Sequence, residues 1–235
     1  MVNSKSRGSI ANCNSFKLYN TIAEKLIITH GVDNMKPFAE SCEQNQEPIL
    51  DVLREQFADT KTVLEIGSGT GQHAVYFARH LPYLHWQTSD MPEYHVGIQQ
   101  WIDEAGLKNI APPIELDVSQ SIWPALEVEA VFSANTVHIM AWHCVEKMFA
   151  GVAEILKTQG LLCLYGPFNY DGQYTSKSNE KFDQWLKARD PQSGIRDFEK
   201  LVELGRQYGL RLVHDYEMPA NNRILIWQKS QVVEF

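Results

Sequence analysis

Val63-Leu64-Glu65-Ile66-Gly67-Ser68-Gly69-Thr70-Gly71-Gln72-His73 is the stretch that decides the fold. Three apolar residues around Glu65 read as a short strand. Glycines at every second position follow, then a helical pattern over 73–80 with Ala74, Phe77 and Ala78 on one face. Strand, glycine turn and helix open a βα unit. Glycine is needed where the backbone takes positive φ, or where a ligand lies against the main chain without a Cβ in the way. The spacing G-x-G-x-G is not the G-x-G-x-x-G of dinucleotide binders, and no G-K-[ST] follows to cradle a phosphate. A tight strand-to-helix turn needs glycine on its own account, so the neighbours must decide.

Outward from this turn, short apolar strands are expected at 62–66, 84–88, 114–116, 129–134 and 161–165. Helices at 73–80, 94–105 and 141–157 lie between them. Helices at 179–188 and 196–208 follow, then strands at 210–217 and 223–229 joined by Met218-Pro219-Ala220-Asn221-Asn222. Alternating strands and helices imply an α/β fold with a mainly parallel sheet and helices on both faces. The closing hairpin requires one of its strands to run antiparallel. Before the sheet, residues 1–14 read as a polar tail and 15–30 as an amphipathic helix ending near Gly31. A further helix is expected with Asn45 as its cap, Pro48 in the first turn and Ile49, Leu50, Val52, Leu53 and Phe57 buried. The preceding stretch 36–42 reads as irregular. The organisation is a tail and helical extension over 1–35 and one domain over 36–235.

Composition narrows the function. The 235 residues carry Lys+Arg 21 against Asp+Glu 29, a net charge of −8, which disfavours broad binding to nucleic acid or an anionic membrane. No apolar run approaches the roughly 20 residues that span a bilayer, and the N-terminus lacks a signal-peptide core. The four cysteines form no C-x-x-C pair. They suggest free thiols in a reducing cytoplasm, with neither a disulfide framework nor a metal site.

Three acids stand at three successive strand ends. Glu65 precedes the turn, Asp90 closes Gln87-Thr88-Ser89-Asp90, and Asp117 follows Glu115-Leu116. Asp90 falls about 20 residues beyond the glycines, where an acid meets a ribose diol. Asp117 is placed to accept a hydrogen bond from an adenine amino group. A buried carboxylate at Glu65 is costly unless it meets a cation or several donors. Carboxylates with no phosphate loop suit S-adenosylmethionine, an adenosine joined to a sulfonium and an amino acid, better than NAD.

The E-x-G-x-G-x-G turn with the terminal antiparallel hairpin resembles the class I S-adenosylmethionine-dependent methyltransferases. The resemblance implies a Rossmann-like, seven-stranded, mainly parallel sheet whose last strand is antiparallel. It also implies that Glu65, Gly67, Gly69 and Gly71, with Ser68 and His73, surround the methionine part of the donor. Asp90 then meets the ribose and Asp117 with Val118 the adenine. A narrower resemblance rests on Ser41-Cys42-Glu43-Gln44-Asn45, Ser68-Gly69-Thr70-Gly71-Gln72-His73, Trp86-Gln87-Thr88-Ser89-Asp90 and Asn135-Thr136-Val137-His138. Tyr165-Gly166-Pro167-Phe168, Ser178-Asn179-Glu180-Lys181-Phe182-Asp183, Arg189-Asp190-Pro191, Gly194-Ile195-Arg196-Asp197 and Met218-Pro219-Ala220-Asn221-Asn222 complete it. Together they are similar to one family of methyltransferase-like proteins, matched from Lys36 to Lys229. Gln44 stands where that family carries Arg, which removes a carboxylate-recognising side chain. Residues 1–35 are additional.

The expected activity is methyl transfer, with the protein supplying alignment and a dry pocket, and a base only where the nucleophile arrives protonated. Asn135 and His138 after the fourth strand, with Tyr165 at the end of the fifth, are the catalytic candidates. His138 is weighed equally as a structural histidine. Asn45 and Asn135 are also candidates to touch the donor. Phe38, Cys42, Phe168, Tyr170 and Asn222 are candidates to wall the acceptor; ordinary packing is the slightly preferred reading of Phe168, and turn chemistry competes for Asn222. Arg196 and Asp197 read as a helix start. The expected partner is a small-molecule acceptor, with no nucleic acid or membrane; a homodimer is left open. The competing function is a regulator or partner subunit that binds the donor without transferring its methyl group.

Overall fold

A computed structural model describes residues 36–231. The tail and helix expected over 1–35 lie outside the described residues. The elements are α1 (Glu40–Gln56), β1 (Thr62–Ile66), α2 (Gln72–His80), β2 (His85–Asp90), α3 (Pro92–Ala105), β3 (Ile110–Glu115), β4 (Val128–Ala134) and α4 (Trp142–Ile155). They continue with β5 (Leu156–Gly166), β6 (Phe168–Asn169), α5 (Lys177–Arg189), β7 (Arg196–Asp197), α6 (Phe198–Gln207), β8 (Leu210–Met218), a 3₁₀ turn (Pro219–Asn221) and β9 (Asn222–Lys229).

The main sheet has seven strands in the order β3-β2-β1-β4-β5-β9-β8, and β6 pairs with β7 apart from it. β1 lies parallel to both β2 and β4, so the strand order reverses beside it. That reversal leaves a crevice at the carboxyl ends of β1 and β4. β9 is antiparallel to β5 and to β8, as the closing hairpin requires. Gly166 pairs with Arg223, so the 219–222 turn lies on the same sheet edge as the glycine turn.

Alternation along β1 sends side chains to two cores. Leu64 and Ile66 join Val145, Met148, Phe149, Leu201 and Trp227 on the face covered by α4 and α6. Val63 joins Ile49, Leu53, Phe77, Trp86 and Phe132 on the face covered by α1, α2 and α3. The rings of Phe77 and Phe132 meet edge-on at 5.4 Å, and Phe77 lies 5.6 Å from Trp86. Truncating such a buried ring costs about 3–5 kcal/mol.

Several sequence expectations are corrected. α1 starts at Glu40, not at an Asn45 cap, and Pro48 lies inside it. Asn45 is therefore a helix-interior residue whose side chain is free for another partner. β3 begins at Ile110 and contains Pro112 and Pro113, which an edge strand tolerates because its outer N–H groups have no ladder partner. Arg196 and Asp197 form β7, and Asp197 is also the N-cap residue of α6, so the helix begins two residues later than expected. Cys42 and Cys163 are free thiols, whereas Cys144 is disulfide-bonded, against the expectation of four free thiols. Among the described residues no helix is long and apolar enough to cross a membrane.

Candidate functional site

The glycine turn is stitched to the end of β2. The N–H groups of Gly67 and Ser68 both donate to Ser89 O, at 3.1 and 3.0 Å. Gly67, Gly69 and Gly71 all take positive φ (73°, 58° and 88°), which accounts for their identity. They differ in what surrounds them. A Cβ on Gly69 would meet nothing within 4 Å, so this face of the turn is open. A Cβ on Gly71 would press on Ile98 Cα at 3.0 Å and on Trp101. Gly71 is thus held by the packing of α3, which corrects the expectation that all three glycines clear space for a ligand.

Two buried carboxylates stand beside the turn. Asp90 is 2% exposed; its Oδ2 accepts from Gly69 N–H and its Oδ1 from Met91 N–H, both at 2.7 Å. Burial pushes its carboxyl up to about 6, opposed by those two N–H groups and by His95. Glu65, also 2% exposed, accepts from Ser68 Oγ at 2.8 Å and from Trp86 Nε1 at 3.2 Å. Burial pushes it up to about 7, and the charge of Asp90 adds to that rise. Among the described residues neither is in an ion pair with lysine or arginine. Trp86 as a partner for Glu65 was missed from the sequence, although it stands at the head of the quoted Trp86–Asp90 segment.

Asp117 behaves differently. It is half-buried, accepting from Ser119 N–H at 2.8 Å and from Gln120 Nε2 at 3.0 Å, and these bonds hold its carboxyl below the usual range despite partial burial. It closes its own turn, while Val118 beside it is buried in the core.

The start of α1 roofs the turn. Ala39 N–H donates to Gln72 Oε1 at 2.5 Å, and Gln72 Nε2 returns a bond to Ala39 O at 3.3 Å. Thr70 Oγ1 donates to the same Oε1 at 3.0 Å. His73 Nε2 lies 2.6 Å from Asn45 Oδ1, and burial lowers His73 to about 4, so a neutral imidazole donates there. Cys42 interacts with Thr70 and Glu65; burial pushes its thiol up to about 12, which makes it a neutral wall and no nucleophile. Pro37 sits where a Cβ on Gly97 would be, 2.4 Å from its Cγ, and Trp101 Nε1 donates to Pro37 O at 2.7 Å. Gln72, the tether of this roof, was not singled out from sequence; its position directly after the last glycine was the available signal.

On the β4–β5 side, the structure brings together Asn135, His138 and Gly166. A Cβ on Gly166 would lie 3.5 Å from His138 Nδ1 and 3.7 Å from Asn135 Oδ1. His138 is 1% exposed, and neither ring nitrogen has a hydrogen-bond partner. Burial, helped by Arg196, lowers it to about 3, so its imidazole is neutral. Tyr165, buried at the end of β5, faces Asn45 and Asn222 and stays protonated because burial raises it. Asn45, Cys42, Tyr165 and Asn222 therefore join the two halves of the edge.

Two acceptor candidates are corrected. Phe168 is 0% exposed and belongs to the hydrophobic core, not to a pocket wall. Tyr170 donates its hydroxyl to Asp215 and stacks on Phe198 at 4.8 Å, which ties the loop to β8 and α6. Phe38 is 48% exposed beside the tethered Ala39. Among the described residues no group of three or more His, Cys, Asp or Glu could hold a metal ion.

This sheet, with its strand order and its crevice between β1 and β4, is the Rossmann-like class I methyltransferase fold. Similar solved structures include an O-methyltransferase family protein from Burkholderia thailandensis (18% identity, TM-score 0.71, 80% of this chain and 57% of that one). The methyltransferase SibL in its apo form matches at 18% identity and TM-score 0.70, over 81% of this chain and 56% of that one. Human N-acetylserotonin methyltransferase in complex with SAM matches at 16% identity and TM-score 0.70, over 82% and 53%. The chain spans little more than half the length of these structures. By sequence, residues 36–229 match the family described as "Protein of unknown function (DUF938)", and the chain belongs to that family.

Proposed function

We propose that this protein is a methyltransferase that takes its methyl group from S-adenosylmethionine and passes it to a small-molecule acceptor. The observation that carries the reading is the pair of buried carboxylates, Glu65 and Asp90, beside the glycine turn with no lysine or arginine partner among the described residues. Two acids coupled in this way call for a cation. A donor bearing a sulfonium and an ammonium fits them. Asp90 retains lone pairs for a ribose diol beyond the two N–H groups it accepts. The likeness of fold supports the same reading.

Glu65, Gly67, Ser68 and Gly69 would hold the methionine part of the donor, Asp90 the ribose, and Asp117 with Val118 the adenine. Asn45 and His73 contribute by fixing α1 over the turn; Gly71 contributes by seating α3. The bound donor supplies an activated methyl group on sulfur. Residues of this chain do the rest. Asn135 orients a polar group of the acceptor through its amide. His138, neutral and unpartnered, accepts a hydrogen bond from an acceptor that arrives as an alcohol or phenol and takes its proton as methyl transfer to the oxygen makes that proton strongly acidic. Tyr165, Cys42 and Asn222 form a neutral, largely buried wall that excludes water. The test is transfer of a labelled methyl group from the donor to a small-molecule extract. Label in an organic product supports the enzyme; donor binding with no labelled product in any fraction leaves a regulatory subunit.

A further inference from the structure

His138 has no side-chain partner, yet its place is fixed, and the main chain shows how. Four consecutive carbonyls of the loop after β4 are each taken by one distant segment. Val137 O accepts from Arg196 Nε at 3.0 Å, and His138 O from Gly194 N–H at 2.8 Å. Ile139 O accepts from Ser193 Oγ at 3.0 Å, and Met140 O from Arg196 Nη2. The same Nη2 reaches Gln192 O at 2.9 Å, closing its own loop. The segment is anchored in turn: Ile195 N–H donates to Asp183 Oδ1 at 2.7 Å, and Arg196 pairs with Phe168 in the small sheet. Asp183 is 1% exposed and further held by Tyr174 Oη at 2.7 Å and Lys187 Nζ at 2.6 Å.

We propose that Arg196 is a positioning residue, whose planar fork locks the 137–140 loop so that the His138 imidazole stands beside Asn135 and Gly166. The inference rests on the reading of His138 as the group that meets the acceptor. Arginine suits the task because two of its nitrogens reach carbonyls on either side of the loop at once, which a lysine point charge cannot do. Among the described residues one charged group acts on His138. Phe182 on α5 lies edge-on at 5.3 Å, Asn135 and Gly166 are uncharged, and Arg196 is the cation, itself facing Asp183, Asp190 and Asp197.

The test is a histidine-selective NMR titration of the full chain from pH 8 to 5, with the His138 signal assigned by its loss in His138→Gln. In the natural protein the signal should not titrate in this window. Arg196→Gln should bring its midpoint into the window, an upward shift of about two pH units or more. Arg196→Lys should restore it only in part. An unchanged His138 signal in folded Arg196→Gln, or full restoration by Arg196→Lys, would overturn the proposal. If Arg196→Gln does not fold, Ser193→Ala removes a single tie to the loop and should shift the His138 signal by a smaller amount; no shift there also overturns it. The titration needs neither donor nor acceptor, so its failure leaves donor binding standing, and failed donor binding leaves the titration valid.

Discussion

The two halves of the sheet edge are built in opposite ways. At β1–β2, the groups that define the site are bound by their own neighbourhood: Asp90 by Gly69 and Met91, Glu65 by Ser68 and Trp86. Their unmet need is charge. At β4–β5, the defining group, His138, is unpaired at both ring nitrogens, and its loop is held by residues 193–196, more than fifty positions further along the chain. Its unmet need is a hydrogen-bond partner. The proposed reaction, between a sulfonium donor and a protonated nucleophile, calls for both, a cation in one half and a polar group in the other.

The largest expected effect tests the second half. His138→Ala should reduce turnover roughly a hundred- to ten-thousand-fold while donor affinity stays within about twofold. Equal turnover at every pH would remove it as the base. His138→Leu should leave stability within about 1 kcal/mol or raise it in a denaturant titration, because an unpaired polar group is replaced by an apolar one. A loss of several kcal/mol would make His138 structural.

The glycines sharpen the first half. Gly71→Ala combines a left-handed backbone with a contact on Ile98 and should destabilise the fold by about 2–4 kcal/mol in a denaturant titration. Gly69→Ala carries the backbone cost alone, about 1–2 kcal/mol, and should instead weaken donor binding in calorimetry. Equal effects of the two on stability and binding would erase the distinction between them. Asp90→Ala should weaken donor binding by on the order of 1–3 kcal/mol through unpaired ribose hydroxyls; unchanged affinity would return Asp90 to a purely structural role.

The histidines and the carboxylates of the site have opposite pH dependences. His73 and His138 have depressed values of about 4 and about 3. Their contribution to stability is full above roughly 6.5 and is lost as pH falls toward those values. Glu65 and Asp90 are raised to about 7 and about 6. Their contribution is present below about 4 and is lost as pH rises through 6 to 7. Acid unfolding followed by circular dichroism should therefore begin at lower pH in His138→Leu than in the natural protein. An unshifted acid limb would show that His138 does not titrate on unfolding.

How much of this was legible in the sequence follows the same division. The βα start, the acids and the antiparallel ending are readable because each rests on residues close in sequence: Gly67 to Gly71, Asp90 at its strand end, and the short Pro219–Asn221 turn before β9. α1 was begun too late because Asn45 and Pro48 mimic a helix start, whereas docking of Ala39 on Gln72 carries the helix back to Glu40. β6 and β7, two residues each, show no periodicity. Arg196 read as a helix start because nothing local links it to Val137 or Met140. Phe168 carries both a packing and a pocket-wall reading because an aromatic after a strand reads alike in a core and in a cleft, and the packing reading, the one slightly preferred from sequence, is what the structure shows.

Whether Glu65 and Asp90 await a cation is decided by calorimetric titration of the natural protein and Asp90→Asn with S-adenosylmethionine at pH 5.5 and pH 8, in buffers of different ionisation enthalpy. The account predicts binding that strengthens toward pH 8 by up to about tenfold in the natural protein, with protons released near neutral pH, and a weaker gain in Asp90→Asn. Binding that ignores pH and releases no proton, or no binding at all, would contradict it.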